Sequence, residues 1–272
     1  INSQNASIFV QQNGGEGDIE ITSVGDLTSY GNSGIFAQQN GTGNGSVIVD
    51  NQGDIQAGNN GIFTQRNGNG DGEISITTVG DINIDSGTGI FAMQNAGNGD
   101  ITIDSTGDIE NTNGDGILVQ QNGGNGTIMI GHVGDVTAGG SNGIFAAQNR
   151  GNGDIIIDIY GDVQSGNDGF IAQQNAGNGN IEITSNGDIT ADGANGILTQ
   201  QTGGDGNITI GSVASIPCAA TAFDKDTTYA MLVRRDGETL EQILVRLDRA
   251  IEMAIEDEIL IDEINNGPND SI

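Results

Sequence analysis

The chain of 272 residues has no tryptophan, one cysteine, two prolines and only seven lysines and arginines. A lone Cys218 excludes an internal disulfide, so the fold is held by other means, and it leaves the redox compartment open. Pro217 and Pro268 are too few for collagen, and the glycines show no period of three. No apolar run approaches the roughly 18–20 residues of a membrane-crossing helix, and no basic-then-apolar segment opens the chain. A chain opening at Ile1 reads as a processed or excised piece. Apolar residues amount to 34%, against roughly 45–50% in an ordinary domain, so a round core of usual size is not expected. The few basic side chains face 37 acidic ones, for a net charge of −30. Residues 1–215 hold two basic and 24 acidic side chains, and 216–272 hold five and 13. Such a field repels nucleic acid and anionic membranes. Low hydrophobicity with high charge is also the mark of disorder.

What the chain has in excess is glycine, 47 residues, and a repeat that decides against disorder. The block GIFAQQN at Gly34 returns at Gly61, Gly89, Gly116, Gly143, Gly169 and Gly196, after a first copy, SIFVQQN, at Ser7. The spacings are 27, 27, 28, 27, 27, 26 and 27. Regular self-similarity of this kind is the signature of a solenoid.

Each unit reads as three short strands. The GIFAQQN block is the first. A GNGD-like turn leads to a period-2 segment such as Ile101-Thr102-Ile103, repeated at Ile19/Ile21, Val47/Val49, Ile74/Ile76, Ile128/Ile130, Ile155/Ile157, Ile181/Ile183 and Ile208/Ile210. A Gly-Asp turn then opens the third, led by Leu27, Ile55, Ile82, Ile109, Val136, Val163 or Ile189. Alternating apolar residues bounded by Gly, Asn and Asp are strand-and-turn signals, and no unit holds a helical period. The expected fold is all-β: a three-sided parallel β-helix of about eight 27-residue coils, stacked at ~4.8 Å into a rod of roughly 38 Å.

Units of the form GIFAxQNxGNGDIxIxxxGDI resemble the passenger β-helix repeats of bacterial autotransporter surface proteins, over residues of about 1–213. The resemblance implies a right-handed β-helix displayed at the bacterial cell surface or extracellularly, as an adhesin or stalk. Nothing in the sequence resembles that family's membrane barrel, and the tail 216–272 has no counterpart in it.

The stacked positions carry the chemistry. Asn13, Asn40, Asn67, Asn95, Asn122, Asn149 and Asn175 predict an amide ladder at a corner, with a ligand-binding row as the alternative. Asp26, Asp54, Asp81, Asp108, Asp135, Asp162 and Asp188 predict carboxylates that each cap their own turn. The alternative is a calcium ladder, since hard oxygen ligands suit that ion. The direct Gly-Asp sequence, without the spacer of the calcium-binding nonapeptide, counts against it. No cofactor is expected otherwise. Arg66 and Arg150 lie three coils apart with no inserted loop, and a ladder gives no carboxylate the separate environment that a glycosidase needs. A non-enzyme is therefore expected. His132 reads as an exposed substitution and Cys218 as inert.

The repeat fails at 213–215. Residues 216–236 read as a connector and 237–272 as a helical tail for docking or oligomerisation. Thr239 and Gln242 form a capping-box pair. Leu240, Ile243, Leu244, Leu247, Ile251, Ala254 and Ile255 give an amphipathic helix at about 238–258. The first strand is apolar on both faces, with Ile35 followed by Phe36, Ile62 by Phe63, Ile90 by Phe91 and Ile144 by Phe145. One row must point outward, where it is an adhesive liability. The expected cover is Leu240, Leu244, Leu247 and Ile251 of the tail, or another protomer. The coil ends read as uncapped, so end-to-end stacking is expected too. The sequence thus points to an extracellular structural or adhesive solenoid whose partner is itself, assembled into a fibre or stalk. Surface glycans are a further candidate partner, and a carbohydrate- or calcium-binding module is the alternative. A β-helix polysaccharide-degrading enzyme is a remote third.

Overall fold

The computed structural model describes residues 1–202, 207–213, 216–223, 227–257 and 259–266. Residues 214–215, 224–226 and 267–272, which fall in the predicted repeat end, connector and tail, lie outside the described residues.

The chain winds through three parallel sheets, one strand per sheet per coil. The first sheet takes the GIFAQQN block, from Ile8–Gln12 through Thr88–Gln94 and Asp115–Gln121 to Ile197–Gln201. The second takes seven strands from Ile19–Val24 to Ile181–Asn186, and the third eight short ones from Asn2–Ser3 to Ile189–Ala191. Register sets each residue beside its own repeat equivalent: Phe36 faces Phe63, Ile101 faces Ile128 and Ile82 faces Ile109. Period 2 sends alternate residues inward. Ile35, Ile62, Ile90, Ile117 and Ile144 are fully buried, as are Ile101, Ile128 and Ile155. They form one continuous core along the stack. A low apolar fraction suffices because only this thin interior needs filling.

The glycines are a consequence of coils touching backbone to backbone. Gly107 has φ +117°, which L side chains rarely adopt. A Cβ there would also collide with the Gly80 carbonyl one coil earlier. Gly34 has an ordinary φ, but a Cβ would strike Ile55 and the Gly61 carbonyl. Conformation requires glycine at the first position and close packing at the second.

The stack ends differently from the sequence expectation. Ile208 and Ile210 were expected to continue the second sheet. Instead Asn207–Val213 turns back and pairs antiparallel with Ile197–Gln201, with Thr199 opposite Ile210. The residues read as a connector hold two more strands, Ile216–Phe223 and Thr228–Val233, in an antiparallel meander. Ile261–Asp262 adds a last, parallel strand and brings this sheet to twelve. An alternating apolar segment suits parallel and antiparallel addition equally, so the pattern of Ile208 and Ile210 held no directional signal.

The helix, α1 (Leu240–Glu256), starts at Thr239 with both capping-box bonds formed. Its Ile243, Leu247 and Ala250 pack on Ile210, Ala220, Ala222, Ala230 and Leu232. Through the pairs Thr199–Ile210, Ile210–Ala220 and Ala220–Leu232, this surface continues the inner face of the first sheet. Leu240 and Leu244 meet Ile181, Ile183 and Ile197 of the last coil across a cleft of about 320 Å³. The tail therefore docks in cis on the added strands and overhangs part of the C-terminal end of the core, where Ile181, Ile183 and Ile197 are half-buried. One expectation is corrected and one holds in part: Leu240, Leu244, Leu247 and Ile251 do not cover the phenylalanine row, and at this coil end the first sheet is continued while Ile181–Asn186 and Ile189–Ala191 remain the edge strands of their sheets. The inner face of the added strands is a better apolar partner for the helix, because it would otherwise expose the end of the core. Arg246 fixes the arrangement, reaching Glu238 at 2.7 Å and Glu263, on the short helix α2 (Glu263–Asn266), at 2.9 Å.

Candidate functional site

The outward face of the first sheet is set by alternation against the buried row of Ile35 and its equivalents. It carries two rows. One runs Phe9, Phe36, Phe63, Phe91, Leu118, Phe145, Ile171 and Leu198. The other runs Gln11, Gln38, Gln65, Met93, Gln120, Ala147, Gln173 and Gln200. Not one of these sixteen side chains is charged, on a chain with 37 acidic residues. Phe9, Phe36, Phe63 and Phe91 stack with centroids 4.7, 4.8 and 4.9 Å apart and rings within 5° of parallel. Their faces are used on one another, so their edges point outward. Gln11 donates to Gln38 at 2.6 Å and Gln38 to Gln65 at 2.7 Å. Neighbouring rungs half-bury the phenylalanines, except Phe9, which is 61% exposed on the first rung.

The asparagine row beside this face is a ladder. Asn40 donates to Asn13 at 2.9 Å, Asn67 to Asn40 at 2.6 Å, Asn122 to Asn95 at 2.7 Å and Asn175 to Asn149 at 2.6 Å. The aspartate row differs from its expected role. Each carboxylate caps the next coil rather than its own turn. The N–H groups of Asp54, Asp81, Asp108, Asp135, Asp162 and Asp188 donate to the carboxylate one coil back, at 2.8–3.1 Å. Successive N–H donors between the carboxylates offset their like-charge repulsion. Among the described residues, no three His, Cys, Asp or Glu side chains converge to hold a metal ion.

The second glutamine of QQN was missed by sequence reasoning. Gln39, Gln94, Gln121, Gln148 and Gln174 point inward and are buried. Gln39 and Gln174 donate to Gly17 and Gly153 carbonyls of the GNG turns at 2.9 and 3.1 Å. Arg66 replaces glutamine in one coil and is fully buried. It bonds Gln39 Oε1 and the carbonyls of Gly43, Gly45 and Gly70 at 2.8–3.0 Å. Desolvation lowers its pKa, against a smaller opposing pull from Asp71. Its sequence parity with Ile62 and Thr64 was the available signal.

His132 is corrected as well. It is 1% exposed, not a surface substitution. It occupies an inner row with Ser23, Asn51, Thr78 and Ser105, in step with Ile128 and Ile130. Arg66 and His132 are therefore interior parts and share no cleft. Cys218 is half-buried and packs against the residues under α1.

The residues brought together on this face are thus the uncharged row pair, flanked by the asparagine ladder, with Ala147 and Ile171 buried among their neighbours. Comparison with family models, with curated proteins and with solved structures gives no match.

Proposed function

We propose that this chain is a non-enzymatic structural β-solenoid, a rigid rod that associates with copies of itself at or beyond a bacterial cell surface. The observation that carries the reading is how the polar side chains are used. The asparagine, aspartate and inner glutamine rows join one coil to the next, and the face left without charge sets an apolar ridge beside a row of glutamines. Acid–base catalysis requires groups held in distinct environments, whereas a ladder repeats one environment from coil to coil. With ring faces already stacked on one another, the phenylalanine row offers no flat platform for a sugar, which favours the structural reading over a glycan-binding one. The placement outside the cell rests on the resemblance to autotransporter passenger repeats. The meander and α1 stand on part of the C-terminal coil, and association runs through the side of the rod, where the uncharged face lies.

Negative-stain electron microscopy and sedimentation velocity of the purified chain test this. Paired or bundled rods, or filaments, are expected at micromolar concentration. Discrete single rods at about 100 μM, a concentration that populates even weak self-association, would overturn it.

A further inference from the structure

We propose that the uncharged face of the first sheet is a docking surface for a second copy of this chain, packed face to face with the two rods antiparallel. The inference rests on the self-associating reading above and names its surface, partner and geometry.

Four observations select this occupant. The first is charge. A second copy presents the same uncharged plane, so the two rods meet without placing an acidic side chain between them. Any partner wrapping further round would meet Glu20, Asp50, Asp104 and Asp158 on the outward face of the second sheet. The second is periodicity. The Phe ridges recur at 4.7–4.9 Å, and a surface with matching ridges along its whole length is another rod of the same rise. The third is area. Eight rungs at ~4.8 Å and five residues per strand at ~3.3 Å give a plane of roughly 600 Å² per copy. A pair then buries ~1,200 Å², the lower bound of a standard stable interface.

The fourth is the order of residues along the row, which sets the orientation. The first four rungs carry Phe9, Phe36, Phe63 and Phe91, and the last four carry Leu118, Phe145, Ile171 and Leu198. A parallel pair, related by a two-fold along the rod, reverses the strand direction and lays each phenylalanine row on the partner's glutamine row. An antiparallel pair lays apolar row on apolar row and sets three of those four rings against the smaller Leu198, Ile171 and Leu118, with only Phe63 meeting a phenylalanine, Phe145. It also places the two capped ends, with α1, at opposite ends of the pair. This is an isologous two-fold contact with its axis between the fourth and fifth rungs.

The test is sedimentation of the full chain together with charge-insertion variants. The parent is expected to be dimeric at micromolar concentration. Raising NaCl from about 50 to 500 mM should tighten the dimer, because the repulsion to be screened lies on the other faces. Gln65→Glu with Gln120→Glu is nearly isosteric and faces outward, and should weaken the dimer at least tenfold while the melting temperature of the monomer holds. Thr22→Glu with Thr77→Glu, on the exposed face of the second sheet, adds the same charge elsewhere and should leave the dimer intact. Orientation is read in a Cys218→Ser background. Gln120→Cys, beside the axis, should couple through a short bismaleimide linker. Gln38→Cys should not, since antiparallel pairing separates its two copies by ~24 Å along the rod.

A monomeric parent, or a dimer unmoved by Gln65→Glu with Gln120→Glu, overturns the proposal. Coupling through Gln38→Cys overturns the antiparallel geometry. Filaments that form equally from the charge-insertion variant would sink this surface and leave the structural reading standing. A specific soluble dimer without higher assembly would do the reverse for a fibre.

Discussion

Ser105 Oγ lies 2.7 Å from Nδ1 of His132, and both side chains are sealed inside the coils. Burial lowers the His132 pKa, outweighing opposing pulls from the Asp135 backbone and the Asp108 carboxylate. The unfolded chain binds this proton near the ordinary value of about 6.5, while the folded chain resists it. Below that value the unfolded state holds more protons, so stability falls as pH falls. This group's contribution is fully present above about pH 6.5 and is lost on descending from it. The parent should lose melting temperature between pH 7.5 and 5.5, and His132→Ser, matching its row, should lose less. Identical slopes for the two would show that His132 protonates freely within the fold.

Arg66 is a buried cation held by carbonyls rather than by a carboxylate. The neighbouring coils perform the same bracing with glutamine, so Arg66→Gln should cost less than ~1 kcal/mol in a denaturant melt. Arg66→Met leaves the Gly43, Gly45 and Gly70 carbonyls without this donor, at ~1–3 kcal/mol for each group left unsatisfied. An Arg66→Met chain as stable as Arg66→Gln would mean that the turns do not depend on this strut.

Asp108 accepts from the Asp135 N–H and donates its own N–H to Asp81. Asp108→Asn keeps an acceptor and removes a charge from the row, so stability should hold or rise slightly. Asp108→Ala should lose ~1 kcal/mol. Chelator should leave the parent's melting temperature unchanged within error. A drop of roughly ten degrees or more in chelator would be the signature of a bound ion stabilising the native state, and would turn the aspartate row into a metal site.

The solenoid itself was legible because every coil repeats the same inward parity. Leu27, Ile55 and Ile82 at the third strands and the buried Ile35 row follow from spacing alone. Parity also held information that types obscured. His132 and Arg66 share the inward phase of Ile130 and Ile62, yet a charged or titratable side chain is rarely fully buried. The closing strands were hidden for a different reason. Ile216–Phe223 contains Pro217 and three alanines, a weak strand signature. Its place is set by its neighbours, Asn207–Val213 and Thr228–Val233, the first of which is itself seated on the edge of Ile197–Gln201. The helix was readable to within two residues at each end, but its docking face was not. An apolar stripe of Ile243 and Leu247 records that something is covered, not which surface.

The cap gives the last prediction. Arg246 sits between two buried carboxylates, bonding Glu238 and Glu263 and also the Val233 carbonyl at 2.8 Å. Glu263 is 2% exposed and additionally accepts from the Val233 N–H. Removing the guanidinium leaves Glu238 and Glu263 buried together with only Arg235, 3.3 Å from Glu263, as a nearby cation, which costs about 3 kcal/mol, the low end for breaking a buried pair. That loss falls on the meander and α1, since the coils have their own core, separate from the one beneath the helix. Arg246→Met should therefore lose helical circular dichroism in an early transition and keep its strand signal to a later one. The Glu238 carboxyl is held below its ordinary range chiefly by the bond from Arg246. Its contribution is present above about pH 4.5 and is lost as pH falls through the depressed value, so acid should release the parent's cap by the same route. Release bares the last coil, whose Ile181, Ile183 and Ile197 are already only half-buried. An open end of a β-stack templates further strands, so the variant should form longer end-joined rods than the parent in electron micrographs. Leu247→Asp, which strikes the same contact without touching the ion network, should do likewise. If both variants melt in one step with the parent and stay the same length, α1 is not what closes the stack.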